Sequence, residues 1–172
     1  DISNIGVFSP KNAAYEFYNI KTKVPQSSLV INEVMANNVT TIMDETGDYD
    51  DWIELYNNSN TPISTNGLLF SDNPLNLDKW DLPNIVVYPN SYFIIWADED
   101  GNTGDNHANF KLSNLGEQLI LSNSDSSIVD AEFIYPQNDD IAYGRFPNGI
   151  GSFTMLTPTF NANNSPTSND NI

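Results

Sequence analysis

From residue 29 onward, short runs of apolar and β-branched residues alternate with clusters of Asn, Asp, Ser, Gly and Pro. Runs bounded in this way are typical of β-strands, and no long segment shows the helical period of about 3.6 residues. The prolines of this region fall between the runs, where a missing N–H group disrupts no sheet. The predicted strands are residues 29–35, 52–56, 67–70, 79–82, 91–97, 118–121, 128–134, 141–145 and 153–156. The pattern predicts an all-β chain, a β-sandwich of about eight or nine mostly antiparallel strands.

Three segments follow from the same pattern. Residues 1–28 have a mixed composition ending in Val-Pro-Gln-Ser-Ser, and we interpret them as an N-terminal flank and linker. Residues 29–164 form the predicted sandwich domain, and residues 165–172 a disordered tail. Within the domain, residues 91–97 are apolar on both faces, which predicts a central strand that is covered on two sides.

The charge of the chain is strongly negative and unevenly placed. Six basic residues against 23 acidic ones give a formal net charge of −17 at pH 7. Residues 29–160 hold 20 of the acidic residues and three basic ones, and the acidic residues are densest in two loops. We name residues 44–51 the first acidic loop and residues 98–105 the second acidic loop. Such a surface repels phosphate backbones and anionic lipids, so nucleic acids and membrane surfaces are disfavoured as partners.

The residue types needed for common catalytic chemistry are scarce. The chain has no cysteine, which excludes disulfide scaffolds, thiolate metal sites and thiol catalysis. His107 is the only histidine, and no Gly-x-Ser-x-Gly or His-Glu-x-x-His motif accompanies it, so we expect it to be polar surface. A metal-dependent hydrolase built on paired carboxylates is a remote alternative, since among 23 acidic residues some pair fits by chance. The prediction is a non-catalytic chain that requires no cofactor.

The second acidic loop offers oxygen ligands at alternating positions. Asp98, Asp100, Asn102 and Asp105 are the candidate calcium ligands. Calcium takes six to eight such oxygens, and two nearby glycines permit tight turns. The alternative is a solvated acidic turn, because the EF-hand spacing of glycine and the final glutamate are absent.

Arg145 is the only arginine, and its planar guanidinium suits a carboxylate on a neighbouring strand. We predict a structural ion pair with Glu54, with Glu33 and Asp51 as the other candidates. Among the tryptophans, Trp96 lies in the most apolar run and is predicted to be core. Trp80, between two charged residues, is the candidate for an exposed sugar-binding platform.

Several motifs recur in a characteristic order along the domain. They are Val30-Ile31-Asn32-Glu33-Val34, Asp51-Trp52-Ile53-Glu54-Leu55-Tyr56-Asn57, Tyr92-Phe93-Ile94-Ile95-Trp96-Ala97-Asp98, Gly116-Glu117-Gln118-Leu119-Ile120-Leu121 and Tyr143-Gly144-Arg145-Phe146-Pro147. Taken in this order, over about residues 29–164, they resemble a bacterial lamin-tail domain. The resemblance implies an immunoglobulin-like sandwich and assigns no catalytic residue. It further implies an accessory module of an exported or cell-surface bacterial protein that binds a protein or a glycan.

Overall fold

The computed structural model describes residues 28–99 and 104–165, and every regular element within these ranges is a β-strand. The eleven strands are β1 (Leu29–Met35), β2 (Trp52–Asn57), β3 (Ile63–Ser64), β4 (Leu68–Ser71), β5 (Trp80–Asp81), β6 (Val86–Val87), β7 (Tyr92–Trp96), β8 (Glu117–Asn123), β9 (Ile128–Ile134), β10 (Ala142–Phe146) and β11 (Ser152–Leu156). All nine predicted runs contain a strand. The two further strands, β3 and β6, have two residues each, too short to leave a periodic pattern in the sequence.

The strands form two main sheets and one small one. A five-stranded sheet has the order β11-β10-β1-β2-β7, and a four-stranded sheet has the order β5-β4-β8-β9, while β3 pairs with β6. Every strand pairing is antiparallel. These sheets confirm the predicted immunoglobulin-like β-sandwich. The described residues contain no helix, hence none that could cross a membrane.

The core lies between the two larger sheets. Strands β1, β2 and β4 are buried along their whole length, and the rings of Phe70 and Phe110 stack with their centroids 6.2 Å apart. Burying aromatic side chains of this size stabilises the fold by about 1.5–3 kcal/mol each. The core extends through Ile31, Ile53 and Leu121, all without exposed surface.

Strand β7 lies at an edge, so the prediction of a central strand over residues 91–97 was wrong. Its apolar character on two faces has another cause. Ile95 belongs to the main core, whereas Trp96 packs on the opposite side in a second cluster with Met35 and Trp52. Phe160 covers that cluster, with its ring 5.5 Å from that of Trp96. A segment far along the chain therefore replaces the neighbouring layer that a central strand would have.

Residues 157–164, which we name the strap, cross the outer side of the five-stranded sheet. Two fully buried carboxylates on adjacent strands hold them there. Glu33 accepts hydrogen bonds from the Thr159 N–H at 2.9 Å and the Thr159 hydroxyl at 2.6 Å. Glu54 accepts from the Asn161 N–H at 2.8 Å. The strap is thus part of the folded domain.

The structure corrects the predicted Arg145–Glu54 ion pair. Glu54 hydrogen-bonds Asn32 and the strap, on the outer side of the sheet. Arg145 instead pairs with Asp130 and Glu132 of β9, in the opposite sheet. Strand β9 packs against β1 here, and the Arg145 side chain reaches from the five-stranded sheet to the four-stranded one.

The tryptophans lie closer to the core than a binding platform requires. Trp96 is buried, as predicted, and Trp52 is buried beside it. Trp80 is half-buried and packs against the main core, so it offers little free ring surface.

Candidate functional site

The described residues of the two acidic loops, which start 54 residues apart in the sequence, meet at one corner of the sandwich. Strand pairing causes this convergence, because the first acidic loop precedes β2 and the second follows β7, and β2 pairs with β7. The N–H of Ala97 donates to the carbonyl oxygen of Asp51 at 2.8 Å, which continues the pairing to the loops. Residues after the second loop return to β7 through a bridge between Trp96 and His107.

His107 lies between the loops, and its side chain has no exposed surface. The expectation that it is polar surface was therefore wrong. Its ring nitrogen Nδ1 contacts Oδ2 of Asp98, and Nε2 lies 3.0 Å from Oε1 of Glu45. Burial lowers the pKa of His107, but the hydrogen bonds to Asp98 and Glu45 outweigh burial and raise it above its ordinary value. One imidazole thus links a carboxylate of each acidic loop.

Asp44 closes a tight turn at the start of the first acidic loop. Its Oδ1 accepts hydrogen bonds from the N–H groups of Thr46, Gly47 and Asp48, at 2.8 to 2.9 Å. Burial opposes ionisation of Asp44, yet these N–H groups and the Thr46 hydroxyl lower its pKa overall. Asp44 is therefore held as a carboxylate with a fixed orientation.

Among residues 28–99 and 104–165, two groups of acidic and histidine side chains bring their ligand atoms within 4.8 Å of one another. One consists of Asp44, Glu45 and His107, and the other of Asp44, Asp50 and Asp98. In the second group, burial and the charges of Asp98 and Asp44 raise the pKa of Asp50. We name the five residues together the His107 cluster. An imidazole among four carboxyl groups can bind a cation, or the histidine can be protonated and pair with the carboxylates.

Of the candidate calcium ligands that the structure describes, Asp98 lies in the His107 cluster. Asp105 is exposed and belongs to neither group, while Asp100 and Asn102 lie outside the described residues. The calcium loop stays a prediction. One sequence signal could have placed His107 in the cluster: the buried residues Ala108 and Phe110 follow it, so the chain enters the core there.

A second feature is an aromatic ladder beside β10 and β11, at the end of the five-stranded sheet that lies away from β7. The ladder consists of four aromatic rings, each in contact with the next. They are Phe133 in β9, Tyr135 just after β9, Tyr143 in β10 and Phe153 in β11, and the successive ring centroids are 5.3, 6.1 and 5.7 Å apart. Tyr135 is 55% exposed, and so is Met155 on the edge strand β11. Sequence reasoning missed this ladder because its members are dispersed over three strands.

The family model described as Lamin Tail Domain matches residues 22–135, about two-thirds of the chain. No curated protein matches the chain. Strands β10 and β11 lie beyond the matched residues but complete the same five-stranded sheet, and the strap, also beyond the matched residues, crosses that sheet.

Proposed function

The chain belongs to the lamin tail domain family, and on that premise we propose that it is a non-catalytic interaction module of an exported or surface-attached bacterial protein. We further propose that it binds an extended, basic protein segment along the aromatic ladder and the β11 edge. The ladder, with the exposed Tyr135 and three half-buried rings, is the observation that carries this proposal. The family's immunoglobulin-like fold is generally non-catalytic, which agrees with a binding role.

The apolar surface around the ladder supports a binding face. Met155 lies opposite Tyr143 in the pairing of β10 with β11, and the ring of Tyr135 contacts that of Tyr143, so the two exposed side chains flank the same residue. Large apolar side chains grouped in this way on a domain's surface mark interaction sites. Aromatic anchors supply most of the binding free energy at such sites.

The edge position of β11 indicates the form of the partner. An edge strand presents unpaired N–H and C=O groups, to which an extended segment can add as a further strand. Ladder side chains beside that edge would select the segment's apolar residues. The net charge of −17 favours a segment rich in lysine and arginine. A neutral glycan would stack on the same rings but would gain nothing from this charge.

The test uses extended peptides selected against the chain from a random display library. We expect the selected peptides to be basic, and their affinity to fall as NaCl rises from 50 to 500 mM, since salt screens the attraction. Fluorescence anisotropy gives the Kd for the chain and for a Tyr135→Ala, Met155→Ala double variant. Loss of two interface anchors should weaken binding at least about tenfold.

Tyr88→Ala is the matched control, because Tyr88 is 64% exposed but lies outside the ladder. Its Kd should equal that of the unaltered chain. Peptides without a basic bias, or a double variant that binds as tightly as the control, would contradict the proposal. Ladder-dependent binding on a glycan array in place of peptide binding would assign the face to a glycan.

A further inference from the structure

The His107 cluster contains a donor set that the interaction role does not use. We propose that His107 Nε2, a Glu45 oxygen and an Asp44 oxygen bind a divalent metal ion of the zinc class, with Asp98 as the positioning residue. This site joins the two acidic loops and is independent of the aromatic ladder.

The first argument is the orientation of the imidazole. Metal-binding histidines commonly donate the other ring N–H to a carboxylate, which fixes the tautomer and the ring plane. Asp98 stands in that position here, because its Oδ2 contacts Nδ1 of His107. Nε2 then points toward Glu45, at 3.0 Å from its Oε1. The His107 side chain is fully buried, so the ring has no freedom to turn away.

The second argument is distance. The ligand atoms of Asp44, Glu45 and His107 all lie within 4.8 Å of one another. Zinc bonds nitrogen and carboxylate oxygen at about 2.0–2.2 Å, which places tetrahedral ligand atoms about 3.4 Å apart. The Glu45 side chain is 52% exposed, so it can make the small shift that this spacing requires. Water would supply the fourth ligand.

The close approach of the second loop's backbone supports the same location. A Cβ atom on Gly104 would lie 3.0 Å from Glu45 Oε1 and 3.0 Å from Cδ2 of His107. Only a residue without a side chain leaves this space beside the two ligands. Glycine at position 104 therefore lets the backbone approach Glu45 and His107 without crowding their ligand atoms.

The donor chemistry discriminates between ions. An imidazole nitrogen with two carboxylates suits zinc and its first-row neighbours, whereas calcium takes oxygen ligands. The oxygen-only alternative, Asp44 with Asp50 and Asp98, would compete with the contact between Asp98 and His107. The group containing His107 leaves that contact intact, and we therefore favour it.

Calorimetric titration of the chelator-treated 172-residue chain with ZnCl2 tests the proposal. We expect one saturable site, and Co²⁺ in place of zinc should give visible absorption bands of a low-coordinate ion. Glu45→Gln removes a charged ligand and should weaken zinc binding at least as much as the loss of an outer-shell partner, which costs about 10–100-fold. His107→Gln should abolish the cobalt bands. Glu45 is half-exposed, so its variant tests the site even if the His107 variant fails to fold.

Asp48→Asn is the matched control, since it removes one charge from the same loop at a residue outside the His107 cluster, and Asp50→Asn tests the oxygen-only alternative. Both should bind zinc like the unaltered chain. Absence of a saturable zinc site would overturn the proposal and would leave His107 as a charge-paired core residue. Binding lost in Asp50→Asn but kept in Glu45→Gln would overturn it in favour of an oxygen-only site. Neither result would affect peptide binding by the ladder.

Discussion

The guanidinium nitrogen Nη2 of Arg145 lies 2.9 Å from Oδ2 of Asp130, so one ion pair joins the two sheets of the sandwich. The same nitrogen lies 2.7 Å from Oε1 of Glu132. Nε of Arg145 donates to the carbonyl oxygen of Ile31 at 2.8 Å, and the Ile31 N–H donates to Asp130 at 2.8 Å. Arg145 therefore closes a buried network that joins β1 and β10 of one sheet to β9 of the other.

Replacing Arg145 with methionine should destabilise the fold strongly. Methionine keeps the unbranched stem of the side chain but lacks the guanidinium group, which leaves Asp130 and Glu132 buried without their cation. Breaking a buried pair in this way costs about 3–5 kcal/mol. Urea unfolding, followed by tryptophan fluorescence, measures the loss. Lys79→Met is the control: its pair with Asp72 is more exposed, at 29% for the lysine side chain, and should cost about 1 kcal/mol or less. Equal effects of the two changes would contradict the assigned role.

The free energy of unfolding should decrease as the pH rises from 5 to 8. Burial raises the pKa of Glu33 to about 7 and that of Glu54 to about 8, against an ordinary value of 4.5. The folded state therefore binds more protons than the unfolded state in this window. Its stability is fully present below pH 4.5 and is lost as the pH rises through 7 and 8. Urea titrations at four pH values should show a decrease of at least about 2 kcal/mol.

Glu33→Gln should make that pH dependence shallower. The glutamine oxygen can accept from the Thr159 N–H, and its amide can donate to the Thr159 hydroxyl, so the contacts survive without a titrating group. Asp125→Asn is the control, because hydrogen bonds from Ser127 lower the pKa of that exposed carboxyl. An unchanged slope in Glu33→Gln would show that Glu33 is not a source of the effect.

Phe160→Ala should loosen the strap and expose the second cluster. The Phe160 ring contacts Trp52 edge-on at 5.3 Å and stacks on Trp96 at 5.5 Å. Loss of these contacts should cost about 1–3 kcal/mol, and acrylamide should quench tryptophan fluorescence more strongly. Phe146→Ala, at an exposed ring outside the strap, should leave quenching unchanged. Identical quenching in both variants would mean that the strap does not shield the tryptophans.

The sequence predicts the strands well, because each long strand has its own run of apolar residues between turn clusters. Relationships between distant segments carry no such local signal. The sequence of residues 91–97 does not indicate that Phe160 covers Trp96. The residues near Arg145 in the sequence do not indicate that its partner is Asp130 and not Glu54. His107 is buried because the pairing of β2 with β7 brings two loops around it. The apolar residues Ala108 and Phe110 after it indicate that the chain enters the core there, but not which carboxylates surround the ring.

The claim that the chain binds a basic segment along the ladder is tested most directly by NMR chemical-shift mapping. The ¹⁵N-labelled chain is titrated with the tightest selected peptide. The account predicts that the perturbed amides cluster in β9, β10 and β11, with the largest shifts next to Tyr135 and Met155. Shifts that cluster in the acidic loops around His107, or around Trp80, and leave these three strands unperturbed would contradict it.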